Sequence, residues 1–161
     1  LQLFCCSSIE VWPEAMSGMV HLTSLHIHGC LSELPLPLAA LPALENVQLH
    51  YNHLTDLPGQ LAWLGSVRRL VLSDCRLKCV PAVLGGGAAS RLEHLDLADN
   101  GELVLTEEQF EVLRSLTALR SLNIKDIGNG SWSGFEELAE ALRPALPCGC
   151  KIMSEISGDW T

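Results

Sequence analysis

The sequence is poor in positive charge: 10 of its 161 residues are Lys or Arg, 19 are Asp or Glu, and the formal net charge is -9. Proteins that coat phosphate groups need clustered cations, and no Lys/Arg-rich run is present here. No uninterrupted apolar run approaches the roughly 18 residues that a membrane span needs. We therefore expect neither nucleic acid nor a membrane as a partner.

Signals of catalysis and of cofactor binding are also scarce. Residues 128–134 carry three glycines between a predicted strand and a predicted helix, but the βαβ partners of a dinucleotide site are missing. Residues 85–87 are all Gly and lack the Lys-Ser/Thr of a phosphate-binding loop. No Ser stands in a nucleophile-elbow pattern. The sequence thus predicts a protein without enzymatic activity and without a cofactor.

What the sequence does contain is a repeating apolar pattern. Its composition, 48% hydrophobic and 18% charged, is that of a folded domain. Residues 44–58 place apolar side chains at relative places 1, 4, 6, 11 and 14, with Asn52 at place 9. The same template recurs along the chain, and its place-4 residues are Leu1, Leu25, Val47, Leu70, Leu95 and Leu122.

The pattern L-x-x-L-x-L-x-x-N/C-x-L followed by L-P resembles the leucine-rich repeat family, whose repeats are roughly 20 to 29 residues long. The resemblance covers nearly the whole chain and implies one domain, residues 1–161, of about six to seven repeats. It implies an α/β solenoid with a parallel sheet on the concave face and the return segments on the convex face. A terminal strand is predicted with Cys150 at place 4 and Ile152 at place 6. Because the sequence begins inside a repeat, we expect a fragment truncated at the N-terminus.

The return segments fall into two groups. After Pro13, Pro35 and Pro58, apolar residues recur at every third position, which predicts extended or 3₁₀ structure. This part resembles the L-P-x-x-L class of plant immune receptors and plant intracellular repeat proteins. The later returns are predicted to be helical, with capping boxes at residues 106–109 and 133–136.

Place 9 carries a small polar residue in five repeats: Cys6, Cys30, Asn52, Cys75 and Asn100. Such a side chain can bond backbone groups that the turn after the strand leaves unpaired, and Asn does so more completely than Cys. This structural use of cysteine, together with the odd total of seven, favours a reducing compartment and predicts a cytoplasmic protein. The sequon at Asn129 points the other way, although so short a pattern often arises by chance.

The exposed places of the concave sheet are the expected binding site. Asp74, Asp99 and Asp126 share place 8 and predict an acidic stripe, while Phe4 and several histidines predict an aromatic patch toward the N-terminus. The alternative is that an acidic protein collects Asp on its surface without functional meaning. The residues predicted to contact a partner are His26, His28, Gln48, His50, Tyr51, Arg69, Asp74, Asp96, Asp99, Lys125 and Asp126.

Two groups of side chains are candidate metal ligands. His26, His28 and His50 are expected close together, and neutral imidazole binds metals. No carboxylate or Cys completes a site there, so a pH-sensitive contact patch is preferred. Cys148 and Cys150 form a C-x-C pair without a second pair or a nearby His, which supplies too few ligands for zinc. We predict no metal.

The resemblance implies a non-catalytic module that recognises another protein on its concave face. The acidic stripe and the aromatic patch predict that this partner has a basic patch and an apolar region. It further implies the sensing region of a larger plant-like immune receptor or regulatory protein. Two alternatives stay open. One is a structural scaffold, and the other is the substrate-selecting arm of an enzyme whose catalytic domain lies outside this sequence.

Overall fold

The computed structural model describes residues 1–4, 12–29, 31–128 and 134–153. Short segments of alternating apolar and polar residues recur at regular intervals in these ranges. Such segments form strands because successive side chains of a strand point to opposite faces. The strands are β1 (Gln2–Phe4), β2 (Ser24–His28), β3 (Asn46–Gln48), β4 (Arg69–Val71), β5 (His94–Asp96), β6 (Ser121–Asn123) and β7 (Lys151–Met153). They form one parallel sheet in which each strand pairs with the next in sequence.

The connections between the strands change character along the chain. In order they contain a 3₁₀ helix at Glu14–Gly18, α1 (Leu36–Ala39), a 3₁₀ helix at Ala82–Leu84, α2 (Glu107–Arg114), α3 (Phe135–Leu142) and a 3₁₀ turn at Arg143–Ala145. The early helices follow a proline, whose fixed φ suits a first turn. The predicted change from short to helical returns is confirmed. None of the helices in the described ranges is long and apolar enough to cross a membrane.

The hydrophobic core lies between the sheet and the returns. Leu25 and Ile27, at places 4 and 6 of β2, point inward and are fully buried. The apolar residues at every third position of the second return, Leu38, Leu41 and Leu44, close the core from the other side and are also fully buried. Because each repeat packs its core residues against its neighbours, the repeats form one continuous core and depend on one another.

Buried amides at place 9 join successive repeats. Asn52 and Asn100 are each only 1% exposed. The Asn52 Oδ1 accepts a hydrogen bond from the Leu31 N–H at 2.9 Å, and its Nδ2 donates to the Ile27 carbonyl at 3.0 Å. Asn100 contacts the corresponding groups of the repeat before it at 3.1 and 2.9 Å. Each amide therefore satisfies a donor and an acceptor that would otherwise be buried without partners.

Cys75 takes the same place in the repeat between these two asparagines and makes longer bonds. Its Sγ donates to the Leu49 carbonyl at 3.3 Å and lies 3.7 Å from the Ser73 carbonyl. Burial raises the pKa of the Cys75 thiol to about 11, so the group stays a neutral, weak donor. The expectation that Asn serves this place better than Cys is confirmed. Cys6 and Cys30 lie outside the described residues.

The phase predicted for the last strand is wrong by two residues. Ile152 stands opposite Leu122 of β6, so Ile152, and not Cys150, takes place 4. Residues two apart in a strand point to the same face. Both phases therefore bury the same side of β7, and only its pairing with β6 distinguishes them.

The capping box predicted at residues 106–109 is also wrong in its bonds. Helix α2 follows Thr106 as expected, but the Thr106 side chain makes no capping bond. The Gln109 Oε1 instead accepts from the Val80 N–H of the preceding repeat, at 3.1 Å. A buried backbone donor outcompetes the local motif, because leaving it without an acceptor is costly. The second predicted box begins at Ser133, outside the described residues, and α3 follows Gly134.

Replacing Cys75 with Asn should stabilise the protein. The new amide would reach the groups that Asn52 and Asn100 reach in the adjacent repeats, for a gain of about 0.5–2 kcal/mol. The reverse change, Asn100→Cys, should destabilise by at least as much, since it weakens the bond to the Leu77 N–H. Denaturant unfolding at pH 7 measures both free energies. A C75N protein less stable than its parent would contradict the assigned role of place 9.

The same thiol should make stability depend on pH in the alkaline range. Its pKa is about 11 in the folded protein and about 8.5 in an unfolded chain. The unfolded state loses the proton first, so stability that is complete below pH of about 8.5 is lost toward pH 11, by on the order of 3 kcal/mol. Other groups titrate in this window, so the informative quantity is the difference between C75N and its parent. That difference should widen from pH 8 to pH 11, and a constant difference would rule out the effect.

Candidate functional site

The strands align their outward side chains into columns across the concave face. Arg69 stands opposite His94 at the starts of β4 and β5, and these residues form place 3. Gln48, Val71 and Asp96 stand opposite one another at place 5. The predicted alignment of place 5 from repeat to repeat is confirmed. Neighbouring columns can therefore act as one surface, with strands about 4.8 Å apart.

Three rings meet at the carboxyl ends of β2 and β3. The ring centroids of His28 and His50 are 5.1 Å apart, those of His28 and Tyr51 are 4.9 Å apart, and those of His50 and Tyr51 are 5.5 Å apart, all edge to face. Tyr51 is 56% exposed, so this aromatic cluster of His28, His50 and Tyr51 is open to solvent. His26 lies beside it, with its Nε2 3.3 Å from the Ser24 Oγ. The Phe4 side chain, also predicted for this patch, lies outside the described part of the structure.

Burial is the main influence on the pKa of His50 and of the adjacent His26. Burial lowers the pKa of His50, and the neighbouring His28 and His26 lower it further, while Asp96 opposes them. Burial is also the main cause of the lowered pKa of His26. Near pH 7 these two imidazoles are therefore neutral, able both to donate and to accept hydrogen bonds. Within the described ranges, no group of three His, Cys, Asp or Glu side chains could hold a metal ion.

A hollow of about 190 Å³ lies next to the aromatic cluster, over β3, β4 and β5. Its lining residues are Gln48, His50, Arg69, Leu70, Val71, Ser73, His94, Leu95 and Asp96. Arg69 and His94 border it where the strands begin, and Asp96 borders it where β5 ends. Nitrogen groups and a carboxylate thus face the same space over an apolar floor. Such a combination of apolar surface with a few convergent polar groups is typical of binding pockets.

Neighbouring groups hold the polar side chains of the hollow in place. The Ala98 N–H donates to Asp96 Oδ1 at 3.0 Å. Burial raises the pKa of the Asp96 carboxyl, and hydrogen bonds from Ala98 and Asn123 oppose the rise. His94 Nδ1 lies 2.7 Å from the Ser121 Oγ of the next strand, and burial lowers the pKa of His94. These side chains are therefore positioned before any ligand arrives.

The acidic stripe has a backbone cause. Asp74, Asp99 and Asp126 have φ values of 48°, 57° and 50°, and Tyr51, at the same place of its repeat, has 56°. This left-handed conformation is unfavourable for most residues and is best tolerated by Gly, Asn and Asp. Gly29 fills the place in the second repeat with φ 101°. The recurrence of Asp at place 8 therefore needs no partner to explain it.

The turn at place 8 uses the backbone and leaves the carboxylates outside. The Asp74 N–H donates to the Ala98 carbonyl at 2.9 Å, and the Asp99 N–H donates to the Lys125 carbonyl at 2.8 Å, which extends the sheet ladder. The side chains of both Asp residues are exposed. Of the predicted site residues, Gln48, His50, Arg69 and Asp96 line the hollow, and the other seven do not. Among these seven, Lys125 places its Nζ 3.5 Å from the carboxylate of Asp126.

The sequence prediction missed the charged residues at place 2, which lie at the amino ends of the strands, directly before place 3. Arg68 and Arg120 both pair with Glu93, at 2.7 and 3.2 Å. His94, at place 3, lines the hollow and was also missed, although it follows the same alternation as place 5. Places 2 and 3 at the amino edge carry more cations (Arg68, Arg69, Arg120 and Lys151) than anions (Glu45 and Glu93), whereas the carboxyl edge is acidic.

No family model matches this sequence. Solved structures do resemble it. A leucine-rich repeat protein of Leptospira interrogans aligns with a TM-score of 0.64 at 23% identity, over 89% of this chain and 34% of that one. An internalin from Listeria monocytogenes aligns with a TM-score of 0.59 at 21% identity, over 92% and 39%. The leucine-rich repeat domain of the type III effector XopL aligns with a TM-score of 0.56 at 18% identity, over 89% and 56%.

These likenesses show the fold: the chain is a leucine-rich repeat solenoid built on a parallel sheet, as the sequence predicted. It spans between 34% and 56% of the length of those three structures. The L-P-x-x-L class of plant proteins stays a prediction.

Substitutions at place 8 should separate the backbone role of Asp from its charge. Asp99→Val should cost about 1–2 kcal/mol, because a branched side chain fits the left-handed conformation poorly. Asp99→Asn removes the same charge but keeps the conformational preference, and should stay within about 0.5 kcal/mol of the parent. Gln60→Val, at an exposed residue outside the left-handed region, serves as the control. Equal unfolding free energies for D99V and D99N would refute the backbone explanation.

Proposed function

We propose that this leucine-rich repeat solenoid is a non-catalytic module that binds another protein on its concave face. The observation that carries the proposal is the hollow over β3 to β5 together with the aromatic cluster at its border. Tyr51 offers a large amphipathic ring, and residues of this kind supply much of the energy of protein contacts. A pocket with an apolar floor and a few polar groups, beside an exposed aromatic ring, suits a peptide segment with one anchored side chain.

The partner we propose carries a basic segment followed by an apolar one. The left-handed turn can be made by Gly, Asn or Asp, so the three Asp residues at place 8 are one of several solutions to the backbone requirement. Choosing Asp three times places carboxylates along the carboxyl edge of the sheet, the edge at which Asp96 borders the hollow. Cationic side chains would lie along this acidic edge, and an apolar side chain would reach Tyr51.

We further propose that the chain works in the cytoplasm as part of a longer protein. Cys75 supports the cytoplasmic location, because its thiol donates a hydrogen bond inside the core and formation of a disulfide would remove this donor. The sensing region of a plant-like receptor is the finer form of the proposal. The substrate-selecting arm of a larger enzyme is the second candidate. A similar repeat array occurs as one domain of the type III effector XopL, so such arrays are found as parts of larger proteins.

Peptides selected from a random display library test the concave proposal. Selected binders should combine Lys or Arg with an aromatic or branched apolar residue. Their dissociation constants, measured by fluorescence anisotropy, should rise at least about tenfold in Tyr51→Asn and in the triple variant D74N/D99N/D126N, equivalent to about 1.4 kcal/mol. All four substitutions keep a residue that tolerates the left-handed backbone.

The matched control removes three carboxylates elsewhere: Glu107→Gln, Glu108→Gln and Glu140→Gln, all exposed on α2 and α3. This variant should bind within about twofold of the parent. Raising the salt concentration should weaken binding to the parent and affect the D74N/D99N/D126N variant less. Binders that respond equally to both triple variants, or to neither, would exclude the concave acidic edge as the binding site.

A further inference from the structure

Three successive return segments carry no ionisable side chain. Residues 34–44, 57–67 and 80–90 contain no Asp, Glu, Lys, Arg or His, in a chain that is 18% charged. In the solenoid these segments lie side by side on the convex face. The neighbouring returns differ, since the helices α2 and α3 carry several exposed Glu residues. The convex face of the second to fourth repeats is therefore an uncharged surface.

One large apolar side chain is strongly exposed on this uncharged surface. Among the described residues, five large apolar side chains are more than a third exposed: Leu1, Met19, Val20, Leu36 and Tyr51. Leu36 is 78% exposed, the most of all five, and it is the one that lies in an uncharged return. Single exposed apolar residues are common, so the significance of Leu36 depends on the surface beside it.

An open groove lies next to Leu36, between the second and third returns. Its volume is about 680 Å³, and it is lined by Leu36, Ala39, Ala40, Gly59, Gln60, Leu61, Ala62 and Leu64. Gln60 supplies the only polar side chain of this lining. The small residues Ala40, Gly59 and Ala62 leave room along the groove. A protruding leucine thus stands at the border of a cavity that is wide enough for such a side chain.

We propose that this convex surface, which we define by Leu36, Ala40, Gly59 and Ala62, is the contact between two copies of the chain. A two-fold axis brings the same surface of both copies together, so a protrusion and its complementary cavity must lie within one patch. Leu36 and the adjoining groove meet this requirement. Each copy places its Leu36 in the groove of the other.

The distribution of charge favours a second copy over other occupants. Two chains with a net charge of -9 repel each other, and the returns without carboxylates are where they can approach at least cost. The uncharged returns offer no opposite charge to a charged partner and no Lys or Arg to an anionic membrane. The occupant must itself present an uncharged apolar surface, and this chain supplies one. The dimer is independent of the proposed concave binding, because it uses the opposite face.

Sedimentation velocity over about 10 µM to 1 mM tests the proposal. The proposed contact is confined to a few side chains of each copy, so we expect a weak dimer with a dissociation constant on the order of 100 µM. Leu36→Asp should raise it at least about tenfold, and Ala62→Arg, which fills the groove with a cation, should do the same. Both residues are exposed, so folding should be retained.

Tyr51→Asp is the matched control, because it adds the same charge in place of an exposed apolar side chain on the concave face. It should leave the dimer unchanged, and Asp tolerates the left-handed conformation of that position. Added salt should strengthen the dimer by screening the repulsion between the two acidic chains. A parent that stays monomeric at 1 mM overturns the proposal. A dimer that survives L36D and A62R, or one that Y51D dissociates, overturns it as well.

Discussion

The hydrogen bonds of the place-9 side chain hold one repeat to the next. At the end of each strand the chain turns away from the sheet and leaves backbone groups inside the core, where water cannot reach them. Asn52 bonds a donor and an acceptor of the preceding repeat and thereby fixes the distance and register between two strands. The outward columns of the concave face exist only because this register is kept. The geometry of the hollow is thus a consequence of amides on the buried side.

The residue before each such amide faces outward, and this arrangement couples the scaffold to the surface. Asp99 precedes Asn100, and the left-handed backbone of Asp99 is what turns the Asn100 amide toward the core. The left-handed conformation restricts place 8 to a few favoured residue types, and these types differ in whether they carry a charge. Gly29 and Tyr51 occupy the same place in the second and third repeats. The acidic edge begins only with the fourth repeat, next to the hollow.

Features with a local, repeated pattern could be predicted from the sequence, and features that depend on contacts between repeats could not. The inward places, the strand order and the alignment of Gln48 with Asp96 follow from the spacing of the leucines. The phase of β7 does not, because Cys150 and Ile152 would both point to the same face. The bond from Val80 to Gln109 joins residues from different repeats and overrides the local capping motif. The left-handed backbone at Asp126 was likewise not apparent, since a column of Asp looks the same whether conformation or a partner requires it.

The charges of this chain are separated by the architecture of the repeat. Glu93 pairs with both Arg68 and Arg120 at the amino edge of the sheet, the carboxylates of place 8 stand at the other edge, and the middle returns carry no charge. A contact at the acidic edge weakens as ionic strength rises, because screening reduces an attraction. A contact between two uncharged convex faces strengthens as ionic strength rises, because screening reduces the repulsion between two chains that are both negatively charged. The two faces can therefore be occupied at the same time and respond in opposite directions to salt, since they share the core but no charged side chain.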